Sequence, residues 1–339
     1  MINQVIQLVA PRQLAISFQD ISLDTDDVIV RPTYLSICAA DQRYYTGNRD
    51  KKTLKKKLPM ALIHEAAGIV VYDRKGQFQP GDHVLMIPNT PTEKNPDIAE
   101  NYLYSSKFRA SGYDGFTQEY VAMHRDRVVR YSQIPSEIAA ICELVSVAMH
   151  SVDTFLKFSH GTRNVIGVFG DGNVGYITSL LLKKKSPESK VAVFGLDEQK
   201  LNYFSFADFT FHVDEVPEGF ALDHAFECVG GQGSEGAIQQ IIDLINPEGT
   251  IMLMGVSENN VPIQTRMVLE KGLKLIGRSR SGRQDFKETA RLLEETPEIC
   301  RRLKKIIREV IVVRKITDIY EAFEEDLTSA FKTVMKWEI

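Results

Sequence analysis

The sequence predicts an α/β protein of two domains, a β-rich part followed by a doubly wound parallel sheet. Three observations carry this. Residues 1–144 hold short apolar runs broken by turn signals. After about residue 145, strand-like runs alternate with helical spacing, the pattern of a parallel sheet covered on both faces. A glycine-rich turn, GDGNVG at 170–175, joins one of those runs to a helix. With 339 residues the chain is long enough for two cores. We expect one domain at 1–144, a second at 145–280, and a C-terminal segment, 281–339, returning to the first.

In the first part, residues 28–30, 69–72, 83–87, 117–121 and 127–130 read as strands, separated by turns such as 73–76 and 80–82. The stretch ALIHEAAGIV (61–70) reads as the approach to a buried strand, yet holds His64 and Glu65 side by side. A buried charge needs a partner or a metal. Segment 88–115 is polar with few strand formers and reads as a long functional loop. In the second part the apolar runs are 165–169, 191–195, 223–230, 250–256 and 273–277, with helical spacing after 175 and at 237–245. The tail reads as helices with one short strand-like run at 311–313.

Hydrophobic residues at 43% and charged residues at 25% are those of an ordinary soluble protein. A net charge of −4 argues against nucleic-acid or anionic-membrane partners. No apolar run is long enough to span a membrane, and the N-terminus lacks a signal-peptide pattern. Cys38, Cys142, Cys228 and Cys300 are scattered, with no CxxC pair, so neither a disulfide framework nor a zinc ribbon is expected. A reducing cytoplasm fits this cysteine usage.

The turn 170–175 matches GxGxxG in strand–turn–helix context. Gly170 allows the tight turn, Gly172 lets the backbone approach a pyrophosphate, and Gly175 permits close helix–strand packing. Asn173 and Val174 complete the turn, and the helix N-terminal amides face the phosphates. The next strand-like run ends in Gly195, where an NAD site usually has an acid. We therefore expect NADPH, with Lys200 a candidate partner for the 2′-phosphate.

Cys38, the His64–Glu65 pair and Glu143 supply thiolate, imidazole and carboxylate, all good zinc donors. Their order matters more than their spacing. Cys38-x-x-Asp41, then His64-Glu65, then Glu143 in ELVSV, then the glycine turn resemble the zinc-dependent medium-chain alcohol and polyol dehydrogenases along essentially the whole chain. SICAADQRYYTG, IPNTPTEK, DHAFECVGG and LEKGLKLIGRSRSG are similar to a narrower group within it, the ribulose-5-phosphate reductases.

The resemblance implies a GroES-like catalytic domain and a Rossmann-type nucleotide domain. It implies one catalytic zinc on Cys38, His64 and Glu143, with Glu65 a direct ligand or a close outer-sphere carboxylate. Asp41 would accept a hydrogen bond from the ligand histidine. Arg43, Arg278 and Arg280 would serve the phosphosugar, and Lys332 would lie near the cofactor pyrophosphate. The implied reaction is NADPH-dependent reduction of ribulose 5-phosphate for CDP-ribitol and teichoic acid or capsule synthesis. A cytidylyltransferase is the implied pathway partner, and a homodimer or homotetramer the implied assembly.

Three departures stand out. The family's usual glycine before His-Glu is Ile63, segment 88–115 lacks the four cysteines of a structural zinc, and the relay Ser or Thr two residues after the first ligand is Ala40. With Ala40 in that place the proton donor is open among zinc-bound water, Glu65, Tyr44 and Tyr45. Alternative activities are reduction of another polyol or sugar phosphate, a zinc-free quinone reductase, or a silent nucleotide-binding subunit.

Overall fold

The computed structural model describes all 339 residues, which form two compact units. Residues 1–146 and 280–339 make the first, and residues 147–279 the second. No helix is long and apolar enough to cross a membrane.

The first unit is built on a seven-stranded sheet in the order Val128–Arg130, His83–Met86, Glu65–Asp73, Val28–Ser36, Lys332–Trp337, Ile307–Val313, with Val121–Met123 also paired to Val28–Ser36. The central strand Val28–Ser36 carries β-branched residues with few exposed positions, as a strand covered on both faces should. It runs antiparallel to both of its long neighbours, with Ser36 opposite Glu65 on one side and opposite Val334 on the other. This pairing brings residues some 300 positions apart to one end of one sheet.

A hairpin, Ile2–Ala10 with Gln13–Asp20, adds a second sheet. It escapes a reading by periodicity because Gln13–Asp20 has no fully buried residue. The strand Lys332–Trp337 was likewise hidden in a tail read as helical; its first four residues are buried. Of the runs expected as strands, 117–121 is displaced, and the strand there is Val121–Met123.

Segment 88–115 is tied down rather than free. Asn89–Thr90 pairs with Lys107–Phe108. The buried Arg127 guanidinium donates to both Glu100 oxygens, at 2.8 and 3.2 Å, and to the Asn89 carbonyl at 3.2 Å. Arg109 donates to the carbonyls of Asp114 and Ala122.

The second unit is a six-stranded parallel sheet in the order Phe209–His212, Lys190–Gly195, Val165–Phe169, Leu222–Glu227, Ile245–Leu253, Lys274–Gly277. The strand order reverses between Val165–Phe169 and Leu222–Glu227, and open sheets of this type bind ligands beyond the strand ends at such a reversal. An apolar cluster lies in its core, with Phe169 and Phe194 stacked at 4.2 Å between ring centres.

Candidate active site

The first unit gathers the donors at the end of its large sheet. Cys38 follows strand Val28–Ser36 and caps the helix Ala39–Tyr45, its sulfur accepting from the Ala40 amide at 3.4 Å. His64 immediately precedes strand Glu65–Asp73, and Glu65 begins it. One donor atom from each of Cys38, His64 and Glu65 lies within 4.8 Å of the others. Glu143, in the first turn of helix Cys142–Phe158, is buried beside them but does not join that trio at the same distance.

The trio fits a divalent cation. Burial pushes the His64 pKa down, yet Cys38, Asp41 and Glu143 together raise it well above the ordinary value. Glu143 is pushed up to about 7 by burial and by Glu65 and Asp41, although His64 and Lys332 pull the other way. Several buried acidic groups thus crowd one spot, where a cation relieves both desolvation and mutual repulsion. A thiolate, an imidazole and a carboxylate are the donor chemistry that zinc prefers.

Asp41 acts differently from expectation. His64 Nδ1 stands 3.8 Å from Asp41 Oδ1, too far for a hydrogen bond. The carboxylate instead accepts from the Cys38 amide at 3.1 Å and the Ile63 amide at 3.0 Å, bracing the backbone on either side of the donors. Ile63 has a φ of 68°, a left-handed conformation costly for a β-branched residue. At the position expected to be glycine, this chain holds strained backbone next to His64. Tyr45 is committed elsewhere, donating to Glu324 at 2.8 Å, which removes it as a proton source. The Tyr44 hydroxyl is buried with no hydrogen-bond partner.

Lys332 is a correction. It was expected at the cofactor pyrophosphate but is 3% exposed. Its amine binds both Glu65 oxygens, at 2.6 and 2.8 Å, and the Ile37 carbonyl at 2.9 Å. Nothing is left to donate to a phosphate.

Arg280 stacks its guanidinium over Phe108, 4.7 Å from the ring centre, and Phe108 packs against His64 at 5.3 Å. Sequence reading missed Phe108, because nothing marks a lone aromatic in a polar loop. Arg280, Lys107, Phe108, Ser111 and Tyr113 line a cavity of about 480 Å³. Arg43 sits half-buried on the helix Ala39–Tyr45. Arg278 belongs to the second unit, where it donates to Thr154 Oγ1 at 2.9 Å and to the Gly277 carbonyl at 2.9 Å.

In the second unit a cavity of about 720 Å³ opens at the strand-order reversal, lined by Gly170, Gly172, Gly195, Cys228 and Val229 among others. Gly170 has a φ of 126°, and a Cβ on Gly175 would meet the Gly170 carbonyl oxygen at 1.9 Å. Nothing lies within 4 Å of a Cβ built on Gly172, which leaves that space for a ligand. Asn173 and Val174 begin the helix Asn173–Lys185 behind the turn. Lys200, in the helix Glu198–Leu201, does not line the cavity.

Asp171 changes the reading of Gly195. Its carboxylate accepts from the Leu196 and Asp197 amides at 2.8 and 2.9 Å and fills the space a Cβ on Gly195 would need. The strand end is therefore not free of carboxylate; the acid comes from the glycine turn. Glu227, also missed, accepts from the Val229, Gly230 and Gly255 amides and from Ser234, fixing the loops beside Gly170.

Comparison with known proteins agrees with this anatomy. Residues 24–135 match the alcohol dehydrogenase GroES-like domain and residues 189–295 the zinc-binding dehydrogenase domain. The chain is 53% identical to ribulose-5-phosphate reductase 1 of Staphylococcus aureus, over 99% of both chains. It is equally identical to ribulose-5-phosphate reductase of Bacillus spizizenii, over 100% of both. A crystal structure of S. aureus TarJ in complex with NADPH superposes with a TM-score of 0.90 at 48% identity, covering 100% of each chain. The chain belongs to the zinc-binding dehydrogenase family, in the group that holds the ribulose-5-phosphate reductases.

Proposed function

We propose that this chain reduces D-ribulose 5-phosphate to D-ribitol 5-phosphate with NADPH and one zinc ion. The observation that carries this is its end-to-end likeness to ribulose-5-phosphate reductases, and the buried donors of the first unit supply the chemistry such a reaction needs. Cys38 and His64 would hold the zinc together with a carboxylate, Glu65 or Glu143. Bound there, zinc supplies Lewis-acid polarisation of a ketone oxygen. The turn 170–175 would hold NADPH, which would supply the hydride.

The protein's own groups bind and orient. The helix that starts at Asn173 presents its free amides to the pyrophosphate. Lys200 is our candidate for the 2′-phosphate; because Asp171 stands at the strand end, the preference for NADPH is supported by the NADPH-bound relative rather than by Gly195. Arg280 and Lys107, sharing one cavity with Ser111 and Tyr113, offer a planar fork and an ammonium to the sugar phosphate. Phe108 packs between Arg280 and His64, so a cation suited to the phosphate and a donor suited to the zinc stand on either side of one ring.

The product, a polyol phosphate, would pass to a cytidylyltransferase making CDP-ribitol for teichoic acid or capsule. The four cysteines are free thiols, in keeping with a cytoplasmic enzyme, and we expect a homodimer or homotetramer. The test is steady-state NADPH oxidation with ribulose 5-phosphate, xylulose 5-phosphate, ribulose and fructose. Ribulose 5-phosphate should give the highest kcat/KM. Preference for an unphosphorylated ketose rejects the substrate, and quinone reduction without metal rejects the reaction class.

A further inference from the structure

We infer that Glu100 is a positioning residue that sets the place of the Arg280 guanidinium in the phosphosugar cavity. This rests on the phosphate role proposed for Arg280. Arg280 has a φ of 57°, a left-handed conformation that a residue with a Cβ adopts at a cost. Such a conformation persists where its surroundings over-determine it. The three residues that follow are each tied down. The Ser281 hydroxyl lies 2.6 Å from the Ser146 hydroxyl, the Gly282 amide donates to Asp285 Oδ2 at 2.7 Å, and the Arg283 amide donates to Glu100 Oε1 at 2.6 Å.

Of these ties, the one to Glu100 comes from the segment that also carries Lys107 and Phe108, which line the same cavity as Arg280. Glu100 is itself fixed at both ends. Its carbonyl accepts from Ser106 Oγ at 2.6 Å and from Asn89 Nδ2 at 3.3 Å, and Asn89 stands opposite Phe108 in the short strand pair. Its carboxylate takes both terminal nitrogens of Arg127, at 2.8 and 3.2 Å. Arg127 is 3% exposed and immediately precedes the edge strand Val128–Arg130 of the large sheet. A two-pronged guanidinium–carboxylate pair fixes direction as well as distance. Glu100 thus joins the large sheet, the strand pair of Phe108 and the turn after Arg280.

The consequence is for anion recognition. A guanidinium holds phosphate through a planar fork, so its orientation decides how many hydrogen bonds it makes. Phe108 supports that plane from one side, at 4.7 Å from the ring centre. Glu100 governs where the backbone that bears the fork stands relative to that ring. Its charge is met by Arg127, and its contact with the Arg280 turn is to a backbone amide, so the guanidinium is left to the anion.

The test reads two variants singly and together. Steady-state NADPH oxidation with ribulose 5-phosphate is recorded for the wild type, Glu100→Ala, Arg280→Ala and the double variant. E100A should raise KM about tenfold with kcat within about threefold of wild type, because the phosphate anchor is displaced and the reacting end is not. In the R280A background, E100A should change KM by less than about twofold, since Glu100 then has no anchor to position. A merely structural role gives a large fall in kcat, or the full E100A effect on top of R280A, and either result overturns the inference. A raised KM in R280A beside an unmoved KM in E100A rejects the inference alone. A wild-type KM in R280A rejects the phosphate site and the inference with it. Should E100A fail to fold, Glu100→Gln, which keeps the shape and loses the charge, is read by the same criteria.

Discussion

Lys332 Nζ stands 2.6 and 2.8 Å from the two oxygens of Glu65, although 267 residues separate them in sequence. Removing one member of a buried pair leaves the other uncompensated, at a cost of about 3–5 kcal/mol. Lys332→Met should therefore lower the stability of the metal-free protein by about that amount. Zinc should recover part of the loss, since the ion offers Glu65 a second counter-charge. Denaturant melts with and without zinc measure both effects. Equal destabilisation in both would place Glu65 out of reach of the metal.

Arg280 caps Phe108 at the cavity that also holds Lys107. Charge-assisted hydrogen bonds are worth about 1.5–3 kcal/mol. Arg280→Ala should accordingly raise KM for ribulose 5-phosphate by about tenfold to a hundredfold and leave NADPH affinity unchanged. An unchanged KM removes Arg280 as the phosphate anchor.

The glycine turn makes a contrasting pair. A Cβ on Gly175 would collide with the Gly170 carbonyl oxygen at 1.9 Å, so Gly175→Ala should lower stability by about 3 kcal/mol. A Cβ on Gly172 meets nothing within 4 Å, so Gly172→Ala should fold normally. It should weaken NADPH binding by about tenfold, because the methyl group occupies the space into which a pyrophosphate packs. Calorimetric melts and cofactor titration separate the two effects.

The site was only partly legible in the sequence. The glycine turn declared itself because the chain needs residues without Cβ there. The order Cys38, His64–Glu65, Glu143 drew meaning from resemblance, since a thiol or a carboxylate taken singly is ambiguous. Lys332 could not be placed, because its neighbours are set by the pairing of Lys332–Trp337 with a strand some 300 residues earlier. Asp171 misled the reading of Gly195 for a similar reason: a side chain from one turn fills the space emptied in another. The parallel sheet was legible because its strands are continuous apolar runs, whereas the exposed hairpin strand Gln13–Asp20 carries no such signal.

Away from the site, Asp73 sets an acid limit on stability. Burial pushes its pKa up, but the Arg125 guanidinium and the amides of Phe78 and Lys75 outweigh that and bring it from 3.8 to about 2. A carboxylate whose pKa is depressed by folding stabilises above its unfolded value and loses that contribution as pH falls through the folded one. Asp73→Asn should thus be less stable than wild type above about pH 4, with the difference shrinking to nothing near pH 2. Urea melts across that range check the sign. A difference independent of pH would mean that the carboxylate charge is not what Arg125 binds.

The central claim is a zinc-assisted hydride transfer to a phosphorylated ketose, and product analysis reaches it most directly. Purified protein is incubated with NADPH and ribulose 5-phosphate, and the products are identified for wild type, chelator-treated protein and Cys38→Ser. We predict ribitol 5-phosphate in equal amount to the NADPH oxidised, lost on chelation, restored by zinc, and absent in C38S. NADPH oxidation without ribitol 5-phosphate, or full product formation by C38S, would contradict the account.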